Sequence, residues 1–150
     1  MTSSLTVRIG EKTGEAAITV TDEMLDEYLD AVGLPSGLLP RHPDDASRRA
    51  LPPDFVPKAT MNRLHAYFLV KRIGNALRTK HEMHYLKPVY VGMPVSAECH
   101  IADIYESKGR TRVVFEAIYR DECGEDCLID RRTITILDKA VLGRFAGGRP

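Results

Sequence analysis

An α+β fold, with a strongly curved antiparallel sheet wrapped around one long helix, is predicted by three features of the sequence. These are a run of alternating strands between His84 and Leu137, two short polar turns inside that run, and one long apolar helix just before it. Val95, Ala97, Cys99 and Ile101 recur at period 2 with Ser96, Glu98 and His100 between them, the alternation of a half-buried strand. Ser107-Lys-Gly-Arg110 places Gly109 where a tight reversal needs positive φ, and Arg112–Arg120 is rich in β-branched and aromatic residues. Asp121–Asp126 is polar with a central Gly124, and Cys127–Leu137 then completes a three-stranded antiparallel meander.

Upstream of the meander, the pattern predicts a helix from Met61 to about Leu77, with Thr60 as its N-cap and Pro57 three residues before. Leu64, Ala66, Phe68, Leu69, Val70, Ile73, Ala76 and Leu77 cover far more than one apolar stripe, and Asn62, Arg63, Lys71, Asn75 and Arg78 leave only a thin wet edge. Such a helix needs cover on most sides. One long helix followed by a sheet able to curl around it is the layout of the hot-dog fold, the helix as sausage and the sheet as bun.

The 150 residues suit a single domain over 1–150, with 139–150 read as a flexible tail because Gly143–Pro150 has tail composition. A chain of this size buries about 70% of the surface its unfolded form exposes. Lys plus Arg and Asp plus Glu both number 21, so the formal net charge is zero and no basic face argues for a nucleic-acid partner. Met1-Thr-Ser-Ser-Leu5 has no charged start or long apolar run, and no stretch approaches the ~18 apolar residues of a membrane span. No membrane partner and a cytoplasmic location are therefore expected. Cys99, Cys123 and Cys127 are an odd set, so reduced thiols are expected rather than disulfides. Zinc at Cys123 and Cys127 would need Cys99 and His100 from an adjacent strand, and His81 and His84, three apart on a strand, point to opposite faces. No metal is expected.

Glu82-Met-His-Tyr-Leu-Lys-Pro-Val-Tyr-Val-Gly-Met-Pro-Val95, followed by Ile104–Glu116, resembles the strand, turn and strand of MaoC-like acyl-thioester hydratases and dehydratases. Thr21–Gly33 resembles the short amphipathic helix that precedes that family's catalytic loop, and Leu51–Pro57 resembles the Pro-rich approach to its central helix. The resemblance runs over roughly residues 15 to 138 and rests on the order and spacing of its segments. It implies reversible, (R)-specific addition of water to an enoyl thioester within fatty acid metabolism, with an acyl-CoA or acyl-carrier-protein thioester as partner and no cofactor. A hot-dog domain alone leaves a sheet edge and one side of its helix uncovered, so a homodimer, or a heterodimer with a homologous hot-dog subunit, is expected.

In that family the loop after the first helix carries an Asp, then Asn-Pro, then a His five residues after the Asp. A short loop with proline can aim a carboxylate and an imidazole at one water as general base and acid. The corresponding stretch here is Gly33-Leu-Pro-Ser-Gly-Leu-Leu-Pro-Arg-His42, and Leu38 in one alignment or Leu34 in the other stands where the Asp belongs. His42 survives in one alignment, and Asp44, Asp45 and Asp54 lie near enough in sequence to replace the carboxylate. The catalytic candidates are thus His42, Asp44 and Asp54, set against the plainer reading of a solvated polar loop. The substrate-binding candidates are Thr60, Met61 and Asn62, whose backbone N–H groups at the start of the helix would polarise a thioester carbonyl, together with His65 one turn on. The plainer reading of His65, a histidine packed against the sheet or a partner helix, is the one its place in a largely buried helix favours.

Three functions follow. A hydratase or dehydratase is favoured by the resemblance; a catalytically silent acyl-thioester-binding subunit of a heteromeric dehydratase is favoured by the two leucines. A hot-dog thioesterase would need a carboxylate on the central helix, where Met61–Arg78 has none.

Overall fold

The computed structural model describes residues 6–146. In chain order its elements are β1 (Val7–Arg8), β2 (Lys12–Thr19), α1 (Asp22–Val32), β3 (Arg41–His42), β4 (Asp45–Arg49), α2 (Phe55–Met61), β5 (Ala76–Tyr85), β6 (Pro94–Ser107), β7 (Arg110–Arg120), β8 (Asp126–Ile136) and β9 (Phe145–Ala146). Five strands form one antiparallel sheet in the order β2-β6-β7-β8-β5. The β6-β7-β8 meander sits at its centre. Lys108 (φ 52°) and Gly109 (φ 72°) make the first reversal, a two-residue turn with both central residues left-handed. The sheet gains one strand on each side from segments that the alternation did not mark, β2 and β5.

The central helix departs from the expected Met61–Leu77 at both ends. It starts at Phe55, just after Asp54, because Pro52-Pro53 stiffens the approach and Pro57 falls in the first turn, where an N–H has no intrahelical acceptor to lose. Thr60 is therefore not an N-cap. It is buried inside the helix, its hydroxyl bonded to the Val56 carbonyl (2.7 Å) and to the Tyr119 hydroxyl (2.9 Å). After Met61 the helix continues through two π turns, Asn62–Ala66 and Leu69–Ile73, and Gly74 (φ 85°) ends it, so Ala76 and Leu77 belong to β5.

The first π turn sets the position of β2. The Thr13 hydroxyl donates to the Leu64 carbonyl (2.7 Å), and a Cβ on Gly14 would collide with the Arg63 carbonyl oxygen. Behind this contact, Leu64 and Phe68 join Cys99, Ile101, Phe115, Ala117 and Ile134 in one apolar core, with Phe68 edge-on to Phe115 at 6.0 Å. The helix is the sausage and the sheet the bun of a hot-dog fold. α1 is capped by the Thr21 hydroxyl on the Met24 amide and is fastened to β4 by buried Arg49, which pairs with Asp22 (2.8 Å) and Asp26 (2.7 Å).

Residues 139–146, read from composition as a loose tail, are packed instead. Lys139–Arg144 form a 3-10 turn with Val141 buried, Arg144 donates to the Arg72 carbonyl, and β9 runs parallel to β1. The remainder of that stretch, 147–150, lies outside the described residues. Among the described residues no helix is long and apolar enough to cross a membrane.

Candidate functional site

Gly33 closes α1 in the left-handed conformation (φ 73°), and the chain then passes through a 3-10 turn at Ser36–Leu38. Leu34 and Leu38 point outward, 48% and 71% exposed. Neither alignment of this loop brings a carboxylate to that position. His42 follows in the β3–β4 hairpin, where its Nδ1 accepts from the Asp44 amide (3.0 Å) and its ring stands edge-on to Tyr90 at 4.7 Å. That bond puts the imidazole proton on Nε2. Asp44 is exposed and meets His42 through its backbone, and Asp45 accepts from the Ser47 amide and hydroxyl.

Asp54 sits at the start of α2. Partial burial would raise its carboxyl, but hydrogen bonds from Lys58 (3.0 Å) and the Tyr28 hydroxyl (3.1 Å) hold it below the ordinary value, so it is ionised at neutral pH. Among the described residues no hydrogen bond or ion pair joins the His42 ring to the carboxylate of Asp44 or of Asp54. The three catalytic candidates therefore do not form an acid–base pair in this chain's own fold.

The binding candidates fall differently from expectation because the helix begins six residues before Met61. The first-turn amides belong to Phe55, Val56 and Lys58, and those of Phe55 and Lys58 already donate to the carbonyls of Pro52 and Asp54. Thr60 is buried, Met61 half-buried and Asn62 exposed. What does open beside the start of α2 is an apolar cleft of about 350 Å³ between Leu51, Pro52 and Val56 on one side and Tyr85, Val89 and Leu128 on the other. A second cleft of about 310 Å³ is more polar, includes His42, Arg48, Tyr90 and Cys123, and shares Lys87 and Pro88 with the first. Lys87 is tied to Asp121 and Glu125, which raises its ammonium above the usual range.

His65 is buried in the first π turn, in a network that local patterning missed. Arg132 Nη1 donates to His65 Nε2 (3.3 Å), Arg132 Nε to Asp130 Oδ2 (3.1 Å), and His81 Nε2 lies 2.5 Å from Asp130 Oδ1. Burial first, and the Arg132 charge second, push His65 down to about 4, so it is neutral at pH 7. The signal was present in β8: Leu128, Ile134 and Ile136 share one parity with Asp130 and Arg132, placing two opposite charges on the inward face. Cys99 is pushed up to about 11 by burial, and Tyr119 is raised for the same reason. Among the described residues no group of three or more His, Cys, Asp or Glu converges on a metal-sized site.

The five-stranded antiparallel sheet around the central helix, with an apolar cleft beside the start of that helix, makes this a hot-dog protein. The model for the FAS1-like, dehydratase domain region matches residues 7–127, and the chain belongs to that MaoC-like dehydratase family. Searching curated proteins returns no match. Similar solved structures include the C-terminally truncated HadBC (3R-hydroxyacyl-ACP dehydratase) complex of Mycobacterium tuberculosis, at TM-score 0.66, 19% identity, and coverage of 85% of this chain and 96% of that one. The ChsH1-ChsH2 complex of the same organism matches at TM-score 0.66, 13% identity, and 90% and 86% coverage. The R-hydratase PhaJ1 of Pseudomonas aeruginosa matches at TM-score 0.59, 12% identity, and 87% and 83% coverage. At these identities the likeness is one of fold.

Proposed function

We propose that this chain is the acyl-thioester-binding, catalytically silent subunit of a heteromeric hydratase or dehydratase, in which a homologous chain supplies the acid–base pair. One observation carries this reading: the loop that would hold the carboxylate presents exposed Leu34 and Leu38, while His42 spends Nδ1 on its own hairpin and Asp54 is paired with Lys58. General acid–base catalysis requires both groups within reach of one water. The apolar cleft at Val56 and Leu128 suits an acyl chain, and the adjoining polar cleft with Arg48 suits the more polar thioester arm. Two structural neighbours, HadBC and ChsH1-ChsH2, are themselves complexes, which supports a heteromer.

A second reading, an active hydratase that uses His42, is favoured only by the place of His42 on the cleft that adjoins the apolar one. Purified chain, tested alone against trans-2-enoyl-CoA substrates of several lengths, separates the two. The proposal expects measurable acyl-CoA binding by calorimetry without hydration. Hydration that drops by ~10²–10⁴-fold in His42→Ala, the usual loss for a positioned acid or base, would replace it with the second reading.

A further inference from the structure

Strands β5 and β8 supply one wall of the apolar cleft, and their register sets what a bound acyl chain meets along it. On the inner face the paired rungs are Tyr85 with Leu128, then Met83 with Asp130, then His81 with Arg132. The first rung lines the cleft. The second and third hold the buried Asp130–Arg132 ion pair (3.1 Å), with His81 on the other Asp130 oxygen. The apolar wall therefore gives way to buried charge within one rung.

Tyr85 stands at that step. Its hydroxyl donates to Met83 Sδ, which holds the ring toward the second rung, and Met83 is itself packed against the core. Burial, and after it the charges of Asp54 and Asp130, raise this hydroxyl, so it stays protonated and keeps donating at neutral pH. At its other end the cleft shares Lys87 and Pro88 with the polar cleft. A bound thioester thus has a direction, its polar arm beside Arg48 and its acyl chain running from Pro88 toward Tyr85.

We propose that the Tyr85 ring, seated on Met83, sets the length of acyl chain this protein accepts. The accepted class is medium-chain, at most roughly a dozen carbons, the number that fills about 350 Å³ when each methylene takes the ~30 Å³ share of one water molecule. This rests on the acyl-thioester-binding reading above and is independent of whether the protein is catalytic. A longer acyl chain must either displace the ring and lie against Asp130 and Arg132, or leave its end in water. In both cases the added carbons gain no transfer out of water into an apolar surrounding.

Calorimetry on the purified protein, with saturated esters from butyryl-CoA to palmitoyl-CoA below their micelle-forming concentrations, tests this. Wild-type affinity should rise by up to about fourfold per methylene, the ~0.8 kcal/mol of a buried CH₂, and level off near dodecanoyl-CoA. In Tyr85→Ala the rise should continue to palmitoyl-CoA, which then binds at least tenfold tighter than to wild type. Met83→Ala leaves the ring without its seat and should move the limit the same way by less, which keeps the test open if Tyr85→Ala fails to fold. Butyryl-CoA, too short to reach the ring, should bind all three alike. A limit unmoved in both variants overturns the proposal, as does equal weakening at every length or a wild type whose affinity climbs unbroken to palmitoyl-CoA; each of these leaves acyl binding itself intact. A wild type that binds no acyl-CoA of any length removes the acyl-thioester-binding reading, and the length limit with it.

Discussion

The loop from Gly33 to Asp45 and the buried layer between the central helix and β8 both carry histidine and aspartate, yet they satisfy them in opposite ways. In the loop the partners are local, the Asp44 amide for His42 and Ser47 for Asp45. In the buried layer the partners are far apart in sequence: His65 meets Arg132, and His81 meets Asp130. Local bonds leave a loop free to change without cost to the fold, whereas long-range buried bonds make each member depend on the others. This chain places its buried charge in architecture, and its loop presents Leu34 and Leu38 where the resemblance would put a carboxylate.

The comparison breaks most visibly at Asp130. Asp130→Ala strips Arg132 of its buried counter-charge and His81 of its acceptor, and should cost ~3–5 kcal/mol, as for other buried pairs that lose one member. Guanidinium melts check this; a loss below about 1 kcal/mol would mean that the surrounding core, not the network, holds β5 to β8.

His65 gives a smaller effect with a definite sign. Its folded value near 4 lies below the usual 6.5, so the unfolded chain takes up the proton first. Stability should rise as pH climbs from about 4 to 6.5, and the His65 share of it, roughly 3 kcal/mol at most, is lost as pH falls through that window. Arg132, Asp130, Arg78 and His81 all act on this ring, so the measured quantity is the difference between wild type and His65→Gln across the window. Parallel curves would remove His65 from the pH response.

The loop should show the least. Leu38→Asp exchanges an exposed apolar side chain for a charge and should move stability by no more than ~0.5 kcal/mol. A larger shift in thermal melts would show that the loop is structurally committed.

The central meander was legible because its signals are local: period-2 alternation, β-branched residues, and turns whose Gly109 and Gly124 do adopt positive φ. Leu34 and Leu38, where the resemblance would place the loop carboxylate, were legible for the same reason. The central helix misled by phase. Each π turn lengthens the hydrogen-bonded loop from four residues to five, so apolar residues that occupy one side in space spread around the wheel in sequence, and the pattern runs on into Ala76 and Leu77. β5 was hidden by its own composition, Ala-Leu-Arg-Thr-Lys-His-Glu-Met-His-Tyr, and by an irregularity between Arg78 and Lys80 that breaks the alternation. Of the His65 network only Asp130 and Arg132, on the inward parity of β8, carried a local mark; the bonds that tie them to His65 and His81 span the chain.

The contact of Gly14 with the first π turn also bears on the order of folding. The meander closes through short reversals, but β2 pairs with β6 across some eighty intervening residues and docks against carbonyls that exist in that position only once the helix has taken its wide turn. Such non-local pairing bears a high loop-closure entropy before any contact rewards it. The amino-terminal strand of the main sheet is thus expected to pair last during folding, with β2 amides becoming protected after those of the meander and the central helix in pulse-labelling hydrogen exchange.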